Sequence, residues 1–561
     1  MQDNNTFDAI VVGSGITGGW AAKELTEKGL KTLVLERGRQ VEHVKDYTTT
    51  SMPTWDFRLR GRVSAEDEVN YPVQSKVYAF NEATRHYWVN DLEHPYTTPE
   101  DQPFSWIRGY HVGGRSIMWG RQCYRWSDLD FEANAKDGIA VDWPIRYQDI
   151  APWYSYVEKF VGISGQSEGL AHLPDGEFLP PMELNCVEQK VKSGIEGKWP
   201  QRRLTIGRVA NLTRAHNGRT PCQHRDLCFR GCPYGAYFSS QSATLPAAAA
   251  TGNMTLRPDS VVESILYDEQ SDRATGVRVI DANTGETTEY KARVIFLCAS
   301  TLGSTWILLN SASDRFPNGL ANSSGELGHN LMDHFYRVGA SADFEGFDNK
   351  YYDGQRPNGV YVPRFRNVWD KHPDFIRGYG YQGGASRGNW KRGVGENGMG
   401  ADFKDAITKP GPWNMGLQGF GETLPYHENS VRLNPDKLDK HGLPTLFISA
   451  KFRENEAKMK VDAMNAAAEM LEAAGGKNVS TYNREAPIGH GIHEMGTARM
   501  GKDPKTSVLN KWNQCHDVPN VFVTDGSCMT SASCVNPSIT YMALTARAVD
   551  YAVKELNRQN L

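Results

Sequence analysis

Three cysteines crowd one short stretch, PCQHRDLCFRGCPYGA (221–236). Cys222 and Cys228 have five residues between them, Cys228 and Cys232 have three, and Pro233 follows directly. Thiols spaced this way on a Gly- and Pro-containing loop can close a disulfide, ligate zinc, hold an iron–sulfur cluster or stay unliganded. A disulfide would leave one thiol over. Structural zinc wants four nitrogen or sulfur ligands, and His224, the nearby candidate, sits inside the five-residue gap instead of at paired spacing. Cysteines on a tight loop, the last followed by proline, resemble ferredoxin-type loops that wrap a cluster. The other six cysteines stand singly, which is not the pattern of a disulfide scaffold.

A second set of reactive residue types lies near the C-terminus, in HGIHEMGTARMG (490–501) and VPNVFVTDGSCMTSASCVNPSITYMALTARA (518–548). His493 occupies a Gly-bounded loop. An imidazole titrates near neutrality, so such a residue suits a general base that takes a hydroxyl proton. A lone His is more often structural, and His490 is the local rival. NVFVTDGS reads as a strand ending in Asp525. Asn536 and Pro537 then open an apolar helix: Asn is a favoured N-cap, and Pro suits the first helical position. A functional Asn536 must instead point its amide outward at a ligand. Either way, the helix N-terminus offers partial positive charge.

The elements that would position these groups start at the N-terminus. FDAIVV (7–12) is an apolar, β-branched run and reads as a buried strand. Gly13, Gly15 and Gly18 follow in G-x-G-x-x-G register. AAKELTEKG then reads as a helix ending at Gly29, and KTLVLERG as a second strand carrying Glu36. That order is the context of a dinucleotide fingerprint. The first Gly makes the turn, the second admits pyrophosphate, the third lets helix pack on strand, and the acid binds ribose hydroxyls. The motif alone takes FAD or NAD. RVIFLCASTLGSTWILLNSA (293–312) repeats strand, small-residue turn and helix. It reads as a further parallel strand of the same sheet, so the nucleotide domain is discontinuous.

At 561 residues the chain is too long for a single core. A net charge of −4 offers no basic face for nucleic acid. No apolar run approaches the ~20 residues that cross a bilayer. The N-terminus enters a strand almost at once, with no basic or apolar signal region of its own.

Taken together, these motifs make the chain resemble the glucose–methanol–choline (GMC) flavoprotein oxidoreductases. The resemblance runs through nearly the whole length. It adds RGYHVGGRSIMWGR (108–121), DWPIRYQDIAPWY (142–154) and GHNLMDHF (328–335) to the motifs above. Within the family the chain is most similar to bacterial FAD-dependent sugar and sugar-acid dehydrogenases, such as gluconate dehydrogenase-like large subunits and glucoside 3-dehydrogenases.

The resemblance implies an α/β fold, with a Rossmann-like FAD-binding domain interleaved with an α+β substrate domain on an antiparallel or mixed sheet. The FAD domain would take 1–50, 100–130, 205–335 and 480–561; 51–99, 131–204 and 336–479 would form the substrate domain and connections; 221–236 is the cysteine loop. The stretches KYYDGQRPNGVYVPRF, GYGYQGGASRGNW and GPWNMGLQGFGE would wall the pocket.

The resemblance also assigns roles. His493 matches the family's base, and Asn536, with Pro537 after it, matches the partner of the reacting oxygen. Gly113, Gly114 and Ser116 match the turn beside the flavin, and Asp525 matches the acid near the ribityl chain and pyrophosphate. Met118 stands where some members carry a His that bonds FAD covalently, so FAD is expected to be non-covalent. Cys222, Cys228 and Cys232 match the ligands of a three-iron, four-sulfide (3Fe–4S) cluster in iron–sulfur-containing relatives. Such a cluster would pass electrons singly to an acceptor, favouring a dehydrogenase over an oxidase.

The expected reaction is oxidation of a secondary alcohol of a sugar or glycoside, with C3 of a glucoside as the specific reading. Gluconate or polyol dehydrogenation, an oxygen-using oxidase and a GMC-type hydroxynitrile lyase are the alternatives. Expected partners are a small subunit carrying an export signal and a cytochrome. The enzyme would then be periplasmic by co-export, or cytoplasmic without such a partner.

Overall fold

The structure is a computed structural model that describes residues 5–352, 356, 357, 359–388 and 398–561. Residues 353–355, 358, 389 and 390 of the stretches read as pocket wall lie outside the described residues, as do the first four of the N-terminus.

FDAIVV is the middle of a sheet because almost every side chain in Thr6–Val12 is buried. Parallel neighbours cover both of its edges. On one side Ala9 lies opposite Thr32 and Val12 opposite Leu35 in strand Thr32–Leu35. On the other, Thr6 lies opposite Lys291 and Val12 opposite Leu297 in strand Thr287–Leu297. Met254–Arg257 extends the sheet in parallel beyond Thr32–Leu35. The long strand Thr287–Leu297 serves two neighbours along its free edge. Its first half pairs antiparallel with Arg273–Asp281, which turns back to Ser260–Asp268. Its last residues pair in parallel with Val521–Val523, more than two hundred residues away. Helices Ile16–Glu27 and Ser538–Asn557 cover one face. Ala21, Ala22, Ala548 and Ala552 lie with Leu25 and Val549 in one buried cluster, and such small side chains allow close approach.

The consequence is a shared rim. The strands ending at Val12, Leu35, Leu297 and Val523 run in one direction, so Gly13, Glu36, Ala299 and Asp525 emerge at the same edge. Ligands of open parallel sheets bind at such carboxyl ends.

Among the described residues the second sheet has six strands, in the order Lys477–Asn483, His334–Phe344, Trp413–Glu422, Tyr379–Arg387, Val360–Val362 and Thr205–Ile206. Every pairing is antiparallel. Thr205–Ile206 joins this sheet through Val360 and Tyr361, although the sequence reading places 205–335 with the nucleotide. Two residues are too few for periodicity to show which sheet they join.

One face of this sheet is packed and the other is open. In Trp413–Glu422, Trp413, Met415 and Leu417 are buried against helices Cys186–Lys198 and Glu454–Ala473, through Val191, Ile195, Met459 and Ala467. Gln418 and Phe420, offset by one position, line the central cavity, which Trp413 at the start of the strand also borders.

Candidate active site

The rim of the first sheet and the open face of the second enclose one cavity of about 1820 Å³. It is lined by Gly13, Gly15, Glu36, Gly114, Ser116, His493, Asp525 and Asn536, residues drawn from across the whole chain. Gly18, Gly113 and Pro537 stand behind that wall.

The cradle at one end is built as its glycines require. Gly13 turns with φ +94°, and a Cβ there would sit 2.5 Å from the Cys298 carbonyl oxygen. A Cβ on Gly15 would meet no protein atom within 4 Å, so this position faces open cavity. Gly18 packs directly on the Gly13 carbonyl. Glu36 is buried and accepts from Ser14 N–H at 3.1 Å, Ser14 Oγ at 2.6 Å and Gly38 N–H at 3.1 Å. Burial pushes its carboxyl up, and those hydrogen bonds work against the shift.

Ser14 was invisible as a functional residue in sequence, yet it joins two motifs. Its Oγ accepts Gly113 N–H at 2.8 Å while donating to Glu36. Gly113 itself is left-handed (φ +82°), and its missing Cβ leaves room for the Gln241 side chain, which donates to Val112 O at 2.6 Å. Ser116 Oγ donates to Gly113 O at 2.6 Å and accepts Ser240 N–H at 3.0 Å. The turn is thus fixed by side chains that lie far away in the sequence. Met118 is buried beside it and lines the cavity.

Asp525 accepts from Ser527 N–H at 3.0 Å and Ser527 Oγ at 2.6 Å, and Ser304 Oγ donates to its other oxygen. Burial raises its carboxyl above the ordinary range.

Asn536 does not cap the helix. The helix starts at Ser538 with Pro537 at the capping position and no side-chain cap. Pro537 O accepts Tyr541 N–H at 3.0 Å, which closes the first turn without Asn536. Asn536 Oδ1 instead accepts from Gln382 Nε2 at 2.7 Å, across from the second sheet. What remains for a ligand is the Asn536 N–H donor.

His493 projects from a loop held by one carboxyl. Asp333 accepts from Gly489 N–H at 2.7 Å, Gly491 N–H at 2.9 Å and His493 N–H at 3.0 Å. Burial and the charge of Glu494 nevertheless push Asp333 up to about 7. The His493 ring meets His334, Nδ1 to Nδ1, at 2.9 Å. Burial, with His334 and Arg115 nearby, holds His493 well below its ordinary value, so the imidazole is neutral. His490, the rival, stacks on Tyr336 and is absent from the central cavity wall.

The cysteine loop departs from expectation. Among the described residues no three His, Cys, Asp or Glu side chains converge as a metal would need. Cys222 Sγ turns back to accept His224 N–H at 3.4 Å, and Cys222 and Cys232 pack on Leu179, Leu212 and Ala236. Cys228 lies against Arg121, whose guanidinium pKa it raises against the lowering effect of burial, and with burial Cys228 and Cys232 also push the Cys222 thiol up. The three thiols are neighbours, but their arrangement does not by itself support a cluster.

The cradle does fit a flavin dinucleotide. Beyond the open space at Gly15, Arg115 Nη1 and Glu494 Oε1 are buried in the cavity wall without a partner. Their other atoms pair at 3.1 Å, which leaves one donor and one acceptor aimed at whatever fills the space.

The family model described as GMC oxidoreductase matches residues 7–336, and a second with the same description matches 425–545. The chain belongs to the GMC oxidoreductase family. Members bind FAD and act on CH–OH groups, and this chain is an FAD-dependent oxidoreductase of that kind. Similar proteins include the 2-methyl-1,2-propanediol dehydrogenase of Mycolicibacterium austroafricanum, 30% identical over 97% of this chain and 94% of that protein. The fructose dehydrogenase large subunit of Gluconobacter japonicus is 23% identical over 98% of each chain. Among solved structures, pyridoxine 4-oxidase from Mesorbium loti matches with a TM-score of 0.62 at 16% identity, covering 98% of this chain and 99% of that one. Its likeness shows the same GMC fold.

Proposed function

We propose that this GMC oxidoreductase is a dehydrogenase for a secondary alcohol of a sugar or glycoside, C3 of a glucoside being the specific reading. One observation carries it: neutral His493 and the Asn536 amide line the same cavity as the dinucleotide cradle. The relatives' names, which mention a propanediol, fructose and gluconate, support polyol and sugar alcohols as the class.

FAD, when bound, supplies the acceptor for the hydride that leaves the carbinol carbon. The chain's own residues handle the rest. His493 takes the hydroxyl proton, which makes the carbon a better hydride donor. Asn536, its Oδ1 already engaged by Gln382, donates N–H to the same oxygen. Gln418 and Phe420 form part of the far wall of the same cavity. The helix Ser538–Asn557 points its N-terminus at the cavity, where partial positive charge favours the negative charge that develops.

His493→Ala is expected to retain flavin and to lose about 10²–10⁴-fold in turnover with an artificial acceptor. Wild-type turnover in that variant would overturn the assignment. A substrate panel of glucosides, gluconate and polyols ranks the alcohol. Peroxide formed as fast as substrate disappears would make the enzyme an oxidase. Flavin that no sugar bleaches would point to the lyase.

The same reading gives the enzyme a small subunit with an export signal and a cytochrome acceptor, and so a periplasmic site; without them it works in the cytoplasm. The Gluconobacter relative is by name a large subunit. Co-purification of a haem protein and a small subunit from the native cell checks this. The 3Fe–4S cluster rests on the spacing of Cys222, Cys228 and Cys232 alone. About three irons with matching acid-labile sulfide per flavin, in protein purified without air, would establish it.

A further inference from the structure

We infer that His334 is a positioning residue that fixes the tautomer of His493 and turns its bare Nε2 toward the substrate. The inference rests on the reading of His493 as base and adds the residue that sets it.

His334 Nε2 lies 2.8 Å from Ser533 O and 3.2 Å from Ala532 O. Carbonyl oxygens only accept, so Nε2 carries the proton. In a neutral imidazole Nδ1 is then a bare acceptor. Burial keeps His334 neutral, with its pKa lowered to about 4. His493 Nδ1, at 2.9 Å from that acceptor, must be the donor. The proton of neutral His493 is therefore on Nδ1, and Nε2 keeps its lone pair. Turning the His334 ring over would put carbon against both the carbonyls and His493, so its orientation is settled by the same contacts.

The charged groups around the pair leave this assignment intact. Arg115 faces His493 but is paired to Glu494 at 3.1 Å. Asp333 meets the His493 backbone N–H and not the ring. Hence the acceptor for His493 Nδ1–H is His334. As His493 takes the substrate proton and becomes cationic, the same hydrogen bond strengthens.

His334 has a second hold on the site. Ala532 and Ser533 lie in the segment that leads to Asn536. One ring therefore clamps the loop of the base and the approach to its amide partner. With Asp333 holding the loop backbone, the dipeptide 333–334 positions the base twice.

His334→Ala removes the acceptor. Turnover should fall roughly 10–100-fold, with KM within about twofold and flavin content unchanged. His334→Asn offers Oδ1 near the position of Nδ1, and should recover most of the loss. Wild-type turnover in His334→Ala overturns the proposal. So does an Asn variant as slow as the Ala variant while both melt and bind flavin like wild type. Should His334→Ala not fold, nitrogen-15 spectra of histidine-labelled wild-type enzyme decide. Nδ1–H on His493 with Nε2–H on His334 supports the relay, and Nε2–H on His493 sinks it. The spectra need no turnover, so they separate failure of the relay from failure of His493 as base.

Discussion

At the scale of single residues, Gly13 and Gly15 look alike in sequence and differ in what surrounds them. A Cβ on Gly13 would meet the Cys298 carbonyl at 2.5 Å from a left-handed backbone, whereas one on Gly15 meets only cavity. Gly13→Ala should therefore fail to fold or bind flavin. Gly15→Ala should fold, with the apo-protein melting as wild type does, and lose at least about tenfold in FAD affinity, about 1.4 kcal/mol. Flavin fluorescence titration beside a thermal melt distinguishes the two. The histidines carry a pH prediction. With His493 held below its ordinary value, kcat/KM should stay flat from pH 7 down past 6.5, with its acid limb well below that. A limb at 6.5 or above would show a base that is exposed. Stability has the same sign. The folded pKa of His334 is depressed to about 4, so the unfolded chain takes up the proton first as pH falls below about 6.5. Wild type should lose stability relative to His334→Asn through that window, by up to about 1.4 kcal/mol per pH unit. Met118 belongs here too: a thioether forms no linkage to the flavin, so acid precipitation should release all the FAD into the supernatant.

At the scale of elements, what was legible follows from how local each signal is. The strand–glycine–helix–strand run at the N-terminus and its echo at 293–312 are short-range patterns, and both fold as read. The six-stranded sheet was only weakly legible, because glycines at 380, 383, 384, 416, 419 and 421 interrupt its alternation. Asn536 shows the limit of a local rule: Asn-Pro before an apolar helix spells a cap, yet a strand side chain from the other sheet, Gln382, claims its oxygen. Asp333 and His334 sat in a motif noted in GHNLMDHF, but their work is done on residues 156 to 199 positions away. The loop 489–493 is the test of that long-range hold. Asp333→Asn keeps the shape but leaves the N–H groups of Gly489 and Gly491 without an ionisable oxygen to meet. It should cost about 1–3 kcal/mol, speed amide exchange at those two glycines, and lower turnover without changing flavin content.

At the scale of the whole molecule, buried polar groups tie the end of the second sheet to the segment that leads to Asn536. Arg377 is fully buried at the base of the second sheet. It donates from Nε to Asp137 at 2.5 Å, from Nη1 to Glu422 at 3.3 Å and from Nη2 to Asn134 at 2.7 Å. Asn134 in turn donates to Thr530 O at 3.0 Å, Trp143 donates to Ser531 Oγ at 2.7 Å, and Ser533 Oγ donates to Asp130 at 2.6 Å. The backbone that leads to Asn536 is thus fastened to residues 130–143 and, through Asn134, to Arg377 beside the second sheet. Glu422 has a second cation, Arg364, at 3.7 Å, but burial still raises its carboxyl above the ordinary range. Removing Arg377 leaves Glu422 with the more distant Arg364 alone and takes the guanidinium from Asp137, a loss that approaches the about 3–5 kcal/mol of a broken buried pair. Arg377→Met should lower the denaturant midpoint accordingly, and turnover should fall because the segment 530–536 loses its anchor. Adding Glu422→Gln removes the under-compensated charge, so the double variant should regain part of the stability but little of the turnover. That split is the informative outcome. If stability and turnover recovered together, the network would act on the site only through folding. If turnover stays low in a stable protein, the buried junction sets the position of Asn536 directly.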